Sequence, residues 1–138
     1  MKEDDWFEKE QLHFAAQDGD LQRVEELISA GSSLNHIDDA GKTALHYAVE
    51  NENFEVAKFL IEAGSDVNAH DETAITNTPL ADVAATCSLA MAKFLIGAGA
   101  DPTIRGWMQL NALDRAKGRK QGDGPEVYRE LLKAAHGI

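Results

Sequence analysis

Cysteine is almost missing from this chain: its 138 residues include one, Cys87. No internal disulfide can form, so a reducing compartment is expected and stability has to come from a buried core. Long apolar runs are missing too. None approaches the roughly 18 to 20 residues that a membrane helix requires. Residues 1–10 are acidic and lack the apolar centre of a secretion signal. The expectation is a soluble cytoplasmic protein with no membrane partner. Bases are scarce in the first half. Residues 1–72 carry 18 acids and 5 bases, a balance of −13, whereas residues 73–138 carry 6 acids and 8 bases, a balance of +2. A surface so acidic repels phosphate backbones, which argues against nucleic acid as a partner. It would keep the protein soluble, and it would steer it toward a basic partner at low salt.

Patterns that carry chemistry are also lacking. The five histidines, His13, His36, His46, His70 and His136, do not share the spacing of a metal site. Gly118, Gly122 and Gly124 have neither a preceding strand nor the Lys-Ser/Thr tail of a phosphate loop. Cys87 has no histidine close in sequence to act as its base. Neither catalytic residues, nor a metal, nor a cofactor is expected. An enzyme with a site near Cys87 remains the weaker alternative.

What is present is a repeat. Leu12, Leu45, Leu80 and Leu113 recur at steps of 33, 35 and 33 residues, and Gly31, Gly64 and Gly99 keep the same beat. The segments Leu27-Ile28-Ser29-Ala30-Gly31, Leu60-Ile61-Glu62-Ala63-Gly64 and Leu95-Ile96-Gly97-Ala98-Gly99 coincide in register. Each copy predicts two helices. The first starts near Leu12-His13-Phe14-Ala15 or Leu45-His46-Tyr47-Ala48, with Thr43 and Thr78 as N-caps and Pro79 in a first turn. The second carries an apolar stripe at i, i+3, i+6 and i+7: Leu21, Val24, Leu27 and Ile28; Phe54, Ala57, Leu60 and Ile61; Leu89, Ala92, Leu95 and Ile96. The glycines fall where a helix ends in a left-handed residue. A single pair of helices cannot bury its stripe, so stability depends on stacked neighbours.

The stretch from Asp38 to Ala48, with Val56-Ala57-Lys58-Phe59-Leu60 and Ala63-Gly64-Ser65-Asp66-Val67-Asn68-Ala69, resembles the ankyrin-repeat family. The resemblance extends over about residues 6–138. It implies an all-α solenoid of helix-turn-helix units with short β-hairpin-like loops. These would form a single domain with repeats at about 6–37, 38–70, 71–104 and 105–138, and the chain would be monomeric. It implies that His13 and His46 bond neighbouring loop backbone. Departures from the pattern are Ala81 and Asp114 at the histidine position, two extra residues within 71–77 and three around 118–124. Trp6 and Phe7 are expected to cover the open N-terminal end.

The resemblance further implies a non-enzymatic module that binds a protein partner through hairpin tips and first helices on a concave face. Carried over by repeat position, the contact residues are Asp39, Lys42, Glu50, Asn51, His70, Ile75, Asn77, Arg105, Trp107 and Met108. Trp107 and Met108 are unusual, because tips are normally polar; they either contact a partner or fold back on the last repeat. The basic run Arg115, Lys117, Arg119 and Lys120 reads as a solvated helix end, or as a dock for an acidic segment. A more specific alternative is an immunity-type inhibitor that neutralises a basic enzyme or toxin.

Overall fold

The four leucines at the repeat beat each enter a first helix of a pair. In the computed structural model, which describes residues 10–71 and 76–137, the pairs are α1 (Gln11–Asp18) and α2 (Leu21–Ser29), α3 (Ala44–Glu50) and α4 (Phe54–Ala63), α5 (Pro79–Val83) and α6 (Leu89–Gly97), and α7 (Ala112–Ala116) and α8 (Gly124–His136). One short 3₁₀ turn, Trp107–Gln109, lies between α6 and α7. No strand occurs among the described residues, so the described parts of the loops before the first helices carry no β-ladder. The expected capping role of Trp6 and Phe7 lies outside the described residues. The chain divides into two compact units, residues 1–66 and 67–138, each holding two helix pairs.

The N-terminal unit is built on small side chains. Leu12, Ala15 and Ala16 of α1 and Ala44, Leu45, Ala48 and Val49 of α3 are 0–1% exposed. The alanines let α1 and α3 lie side by side, and α2 and α4 follow in the same order. Each buried leucine contributes on the order of 1.5–3 kcal/mol relative to an exposed one. The stripe of α4 is shifted from expectation. Val56, Ala57 and Leu60 are buried, while Phe54, at the first turn, is 36% exposed.

Turn chemistry explains why the helices stop where they do. After α2 and α4, the Ser32 N–H donates to Leu27 O at 3.0 Å and the Ser65 N–H to Leu60 O at 2.9 Å. These six-residue closures require a left-handed residue, supplied by Gly31 (φ 97°) and Gly64 (φ 116°). Between paired helices the same closure runs from Asp20 N–H to Ala15 O and from Asn53 N–H to Ala48 O. Gly19 takes the left-handed position in the first, and Glu52 (φ 56°) takes it in the second. Asp20 then caps α2 by accepting from the Arg23 N–H at 3.1 Å.

The C-terminal unit uses the same plan with other residues. Leu80, Ala81, Met91, Ala92, Leu95, Ala112, Ala116, Val127 and Leu131 are 0–1% exposed. Here α5 lies against α7, and α8 against both α6 and α7. Thr78 caps α5 through the Ala81 N–H at 3.1 Å, with Pro79 in the first turn. Ser88 caps α6 through the Met91 N–H. The Ala100 N–H closes on Leu95 O over left-handed Gly99. Asn68 ties the two repeats of this unit together: its Oδ1 accepts from the Asp101 N–H at 2.7 Å and its Nδ2 donates to Gly99 O. Asn35 plays the first of these parts for Asp66 in the N-terminal unit, at 2.8 Å.

Candidate functional site

In the N-terminal unit the turn Asp38–Lys42 carries the expected tip. The Asp38 N–H donates to Lys42 O, and the Asp38 carboxylate accepts from the Ala40 and Lys42 N–H groups at 2.9 and 3.0 Å. The Tyr47 hydroxyl donates to the second carboxylate oxygen. Burial pushes the Asp38 carboxyl up, but the Tyr47 bond, the two backbone donors and the nearby His13 outweigh it and hold the group below its ordinary value. Burial and then Asp38 itself push the Tyr47 hydroxyl well above its ordinary value.

Beneath this turn lies His13, 3% exposed. Its Nε2 has carbonyl oxygens at 3.0 Å on both His36 and Lys42, so that nitrogen carries the proton and donates to the next repeat's loop. Its Nδ1 has no hydrogen-bond partner among the described residues. Burial is the largest influence on this ring and lowers its pKa, against the Lys42 and His36 carbonyls and the Asp38 charge. His46 differs at Nδ1, which accepts from the Thr43 N–H at 2.9 Å.

The contact residues expected here are exposed or half-buried. Lys42 meets Glu50 at 2.6 Å and lies 5.4 Å from the centre of the Tyr47 ring, so these two opposite charges satisfy each other. Asp39, Glu50 and Asn51 are exposed, and Asn51 also donates to Tyr47 O. Among the described residues of this unit, nine carboxylates are exposed against two bases, Arg23 and Lys58. The unit as a whole has 16 acids and 5 bases, a balance of −11, while residues 67–138 have 8 of each.

In the C-terminal unit the described tip centres on Trp107 and Met108, 58% and 64% exposed. Trp107 points to solvent and does not fold into the last repeat. Asn77 lies beneath it as a support, and this sequence reasoning missed. The Asn77 Oδ1 accepts from the Trp107 N–H at 3.1 Å and from Arg115 Nη2 at 3.2 Å. Arg115 also donates to Trp107 O at 2.9 Å, which corrects its reading as part of a solvated helix end. Arg105 is exposed and donates to Gln109 O at 2.9 Å. A hint was present in the spacing, since Asn77 and Trp107 stand 30 residues apart, close to one repeat. His70 is half-buried, with Nδ1 2.9 Å from Asn68 O. Ile75 lies outside the described residues.

Asp114, noted as a departure from the repeat, is a cap. Its carboxylate accepts from the Asn111 N–H at 3.0 Å while Asn111 Oδ1 accepts from the Asp114 N–H at 2.8 Å, a reciprocal box. Cys87 is 4% exposed. Among the described residues no group of three or more His, Cys, Asp or Glu is placed to hold a metal, and no helix is long and apolar enough to cross a membrane.

A family model of ankyrin repeats matches residues 12–106 in three copies, well over half of the chain. The chain belongs to the ankyrin-repeat family. The match ends just before Trp107, and the structure adds a fourth pair, α7 and α8, beyond it. Among curated proteins none matches the chain. Ankyrin repeats are in general protein–protein interaction modules and typically carry no catalytic activity. The helix-turn-helix units described above are those of this family.

Proposed function

We propose that this ankyrin-repeat chain is a non-enzymatic module that binds a basic protein partner through the acidic surface of its N-terminal unit. The loop residues Asp39, Lys42, Glu50, Asn51, His70, Ile75, Asn77, Arg105, Trp107 and Met108 supply or support local contacts. The observation that carries this reading is the charge balance of −11 confined to residues 1–66. Surface charge of one sign steers encounter with a partner of the other sign, and salt screens it beyond about 8 Å at physiological strength. The protein works in the cytoplasm as a monomer on this reading, with Cys87 as a reduced core residue.

The same charge favours a narrower version, in which the chain neutralises a basic enzyme or toxin by covering its active surface. The test is to capture partners from the native host with the full chain, identify them by mass spectrometry, and measure each purified pair between about 0.05 and about 0.5 M salt. Basic partners with association rates that fall steeply over that range support the reading. Capture of no basic partner, or rates indifferent to salt, refutes it. Inhibition of a captured enzyme in stoichiometric mixtures separates the narrower version from a scaffold.

A further inference from the structure

A large exposed side chain in a loop is ordinary; a strained loop held rigid around one is not. Met108 (φ 60°) and Gln109 (φ 62°) are both left-handed although neither is glycine. Each such residue costs on the order of 1 kcal/mol, and strain of this kind persists only where the surroundings enforce it. Three side chains enforce it here. Asn77 takes the Trp107 N–H, Arg115 grips Trp107 O, and Arg105 grips Gln109 O. Gly106 closes the base of the turn with its N–H on Leu110 O at 2.9 Å. A Cβ on it would stand 2.4 Å from Asn77 Oδ1, so the turn is seated directly on that side chain. None of Trp107, Met108 and Gln109 is buried, so this bracing shields no apolar side chain. What it does is present the indole and the thioether to solvent in one arrangement.

We infer that the Trp107–Met108 turn is a preformed anchor for an acidic protein segment that also carries apolar side chains. The inference rests on the reading of the chain as an interaction module, and it assigns this turn a partner chemistry opposite to that of the N-terminal unit. Aromatic and methionine side chains are enriched at interface centres, and fixing them in advance removes the ordering cost of binding. The charge at the turn is positive. Arg105 and Arg115 flank it, no acid occurs from Pro102 to Leu113, and residues 105–120 hold five bases and one acid. Asn77 and Arg115 are positioning residues, because they act on a partner through Trp107.

The probe is a phage-displayed library of random peptides selected on the immobilised full chain. Enriched peptides should combine Asp or Glu with aromatic or branched apolar residues. Trp107→Ala should weaken them about 30-fold while leaving the thermal midpoint nearly unchanged. Asn77→Ala should weaken them less and speed hydrogen exchange at the Trp107 backbone amide. Asn77→Asp keeps an acceptor oxygen in place and should restore slow exchange at that amide. Basic peptides that bind the Trp107→Ala chain equally well would overturn this inference and leave the reading of the N-terminal unit standing. Acidic peptides dependent on Trp107, with no salt-sensitive basic partner found for the chain, would do the reverse. An absence of any enriched peptide also overturns it, as does concentration-dependent self-association abolished by Trp107→Ala, which would make a second copy the occupant.

Discussion

In residues 1–66 a histidine stands at the third position of each first helix; in residues 67–138 that position holds Ala81 and Asp114. Three of the four first helices are capped by side chains, and α1, preceded by Glu10, is not. His46 accepts the Thr43 N–H through Nδ1, Asp114 accepts the Asn111 N–H through a carboxylate, and α5 relies on Thr78 with Pro79. The difference teaches that where a first helix is capped, histidine, carboxylate or threonine chemistry serves equally. Charge has diverged further than capping, with all of the net −11 in the first unit and none in the second. Shape is common to the two units, and surface chemistry is where they part.

The largest expected effects test the shared part. Leu45→Ala and Leu95→Ala, at positions 1% and 0% exposed, should each cost about 2–5 kcal/mol in urea unfolding followed by circular dichroism. A single transition lowered equally by either would show that the two units unfold together. Two transitions, each answering to one substitution, would show that they are independent. Next come the caps. His46→Ala removes a buried acceptor and should cost about 1–3 kcal/mol, while Asp114→Ala, at an exposed cap, should cost about 1 kcal/mol. Equal losses would break the distinction drawn between the buried cap and the exposed one.

Acid should also divide the units. The folded chain disfavours the proton that His13 takes up when unfolded near pH 6.5. Its contribution is therefore complete above that value and is lost as pH falls toward the lowered folded pKa. Asp38 adds a second loss on the same side, below its ordinary 3.8. The urea midpoint should drop between about pH 7.5 and about pH 5.5, and drop less in His13→Gln. A midpoint that does not move would show that His13 titrates normally. The smallest effect belongs to Glu52, left-handed where the equivalent turn has Gly19. Glu52→Gly should stabilise the N-terminal unit by about 0.5 kcal/mol; a loss would mean that the Glu52 side chain holds the turn.

Much of this architecture was legible in the chain because it is periodic. Gly31, Gly64 and Gly99 were read as left-handed helix ends, and all three have positive φ. Thr78 and Pro79 begin α5 as their chemistry requires. What escaped was aperiodic or long-range. Asn77 was read as a contact residue, yet its oxygen supports Trp107 thirty residues away, and no local pattern announces such a bond. Arg115 looked solvated because its neighbours are charged, but its guanidinium reaches back eight residues to a carbonyl. Phe54 fitted the spacing of an inward stripe and is instead half-exposed, because a stripe has edges and Val56 lies nearer the middle. For the contact surface only polarity and position could be read, since a repeat fixes where a loop lies and not what it touches.

Gly106 carries a consequence for anyone mapping tolerance across every position. The oxygen 2.4 Å from its missing Cβ makes all replacements there clash, whatever assay is scored. Trp107 and Met108, one and two residues on, face open water and should accept most replacements in a screen for abundance. In a screen for partner capture they should become as intolerant as their neighbour. Subtracting one map from the other would therefore isolate recognition from architecture within three consecutive codons.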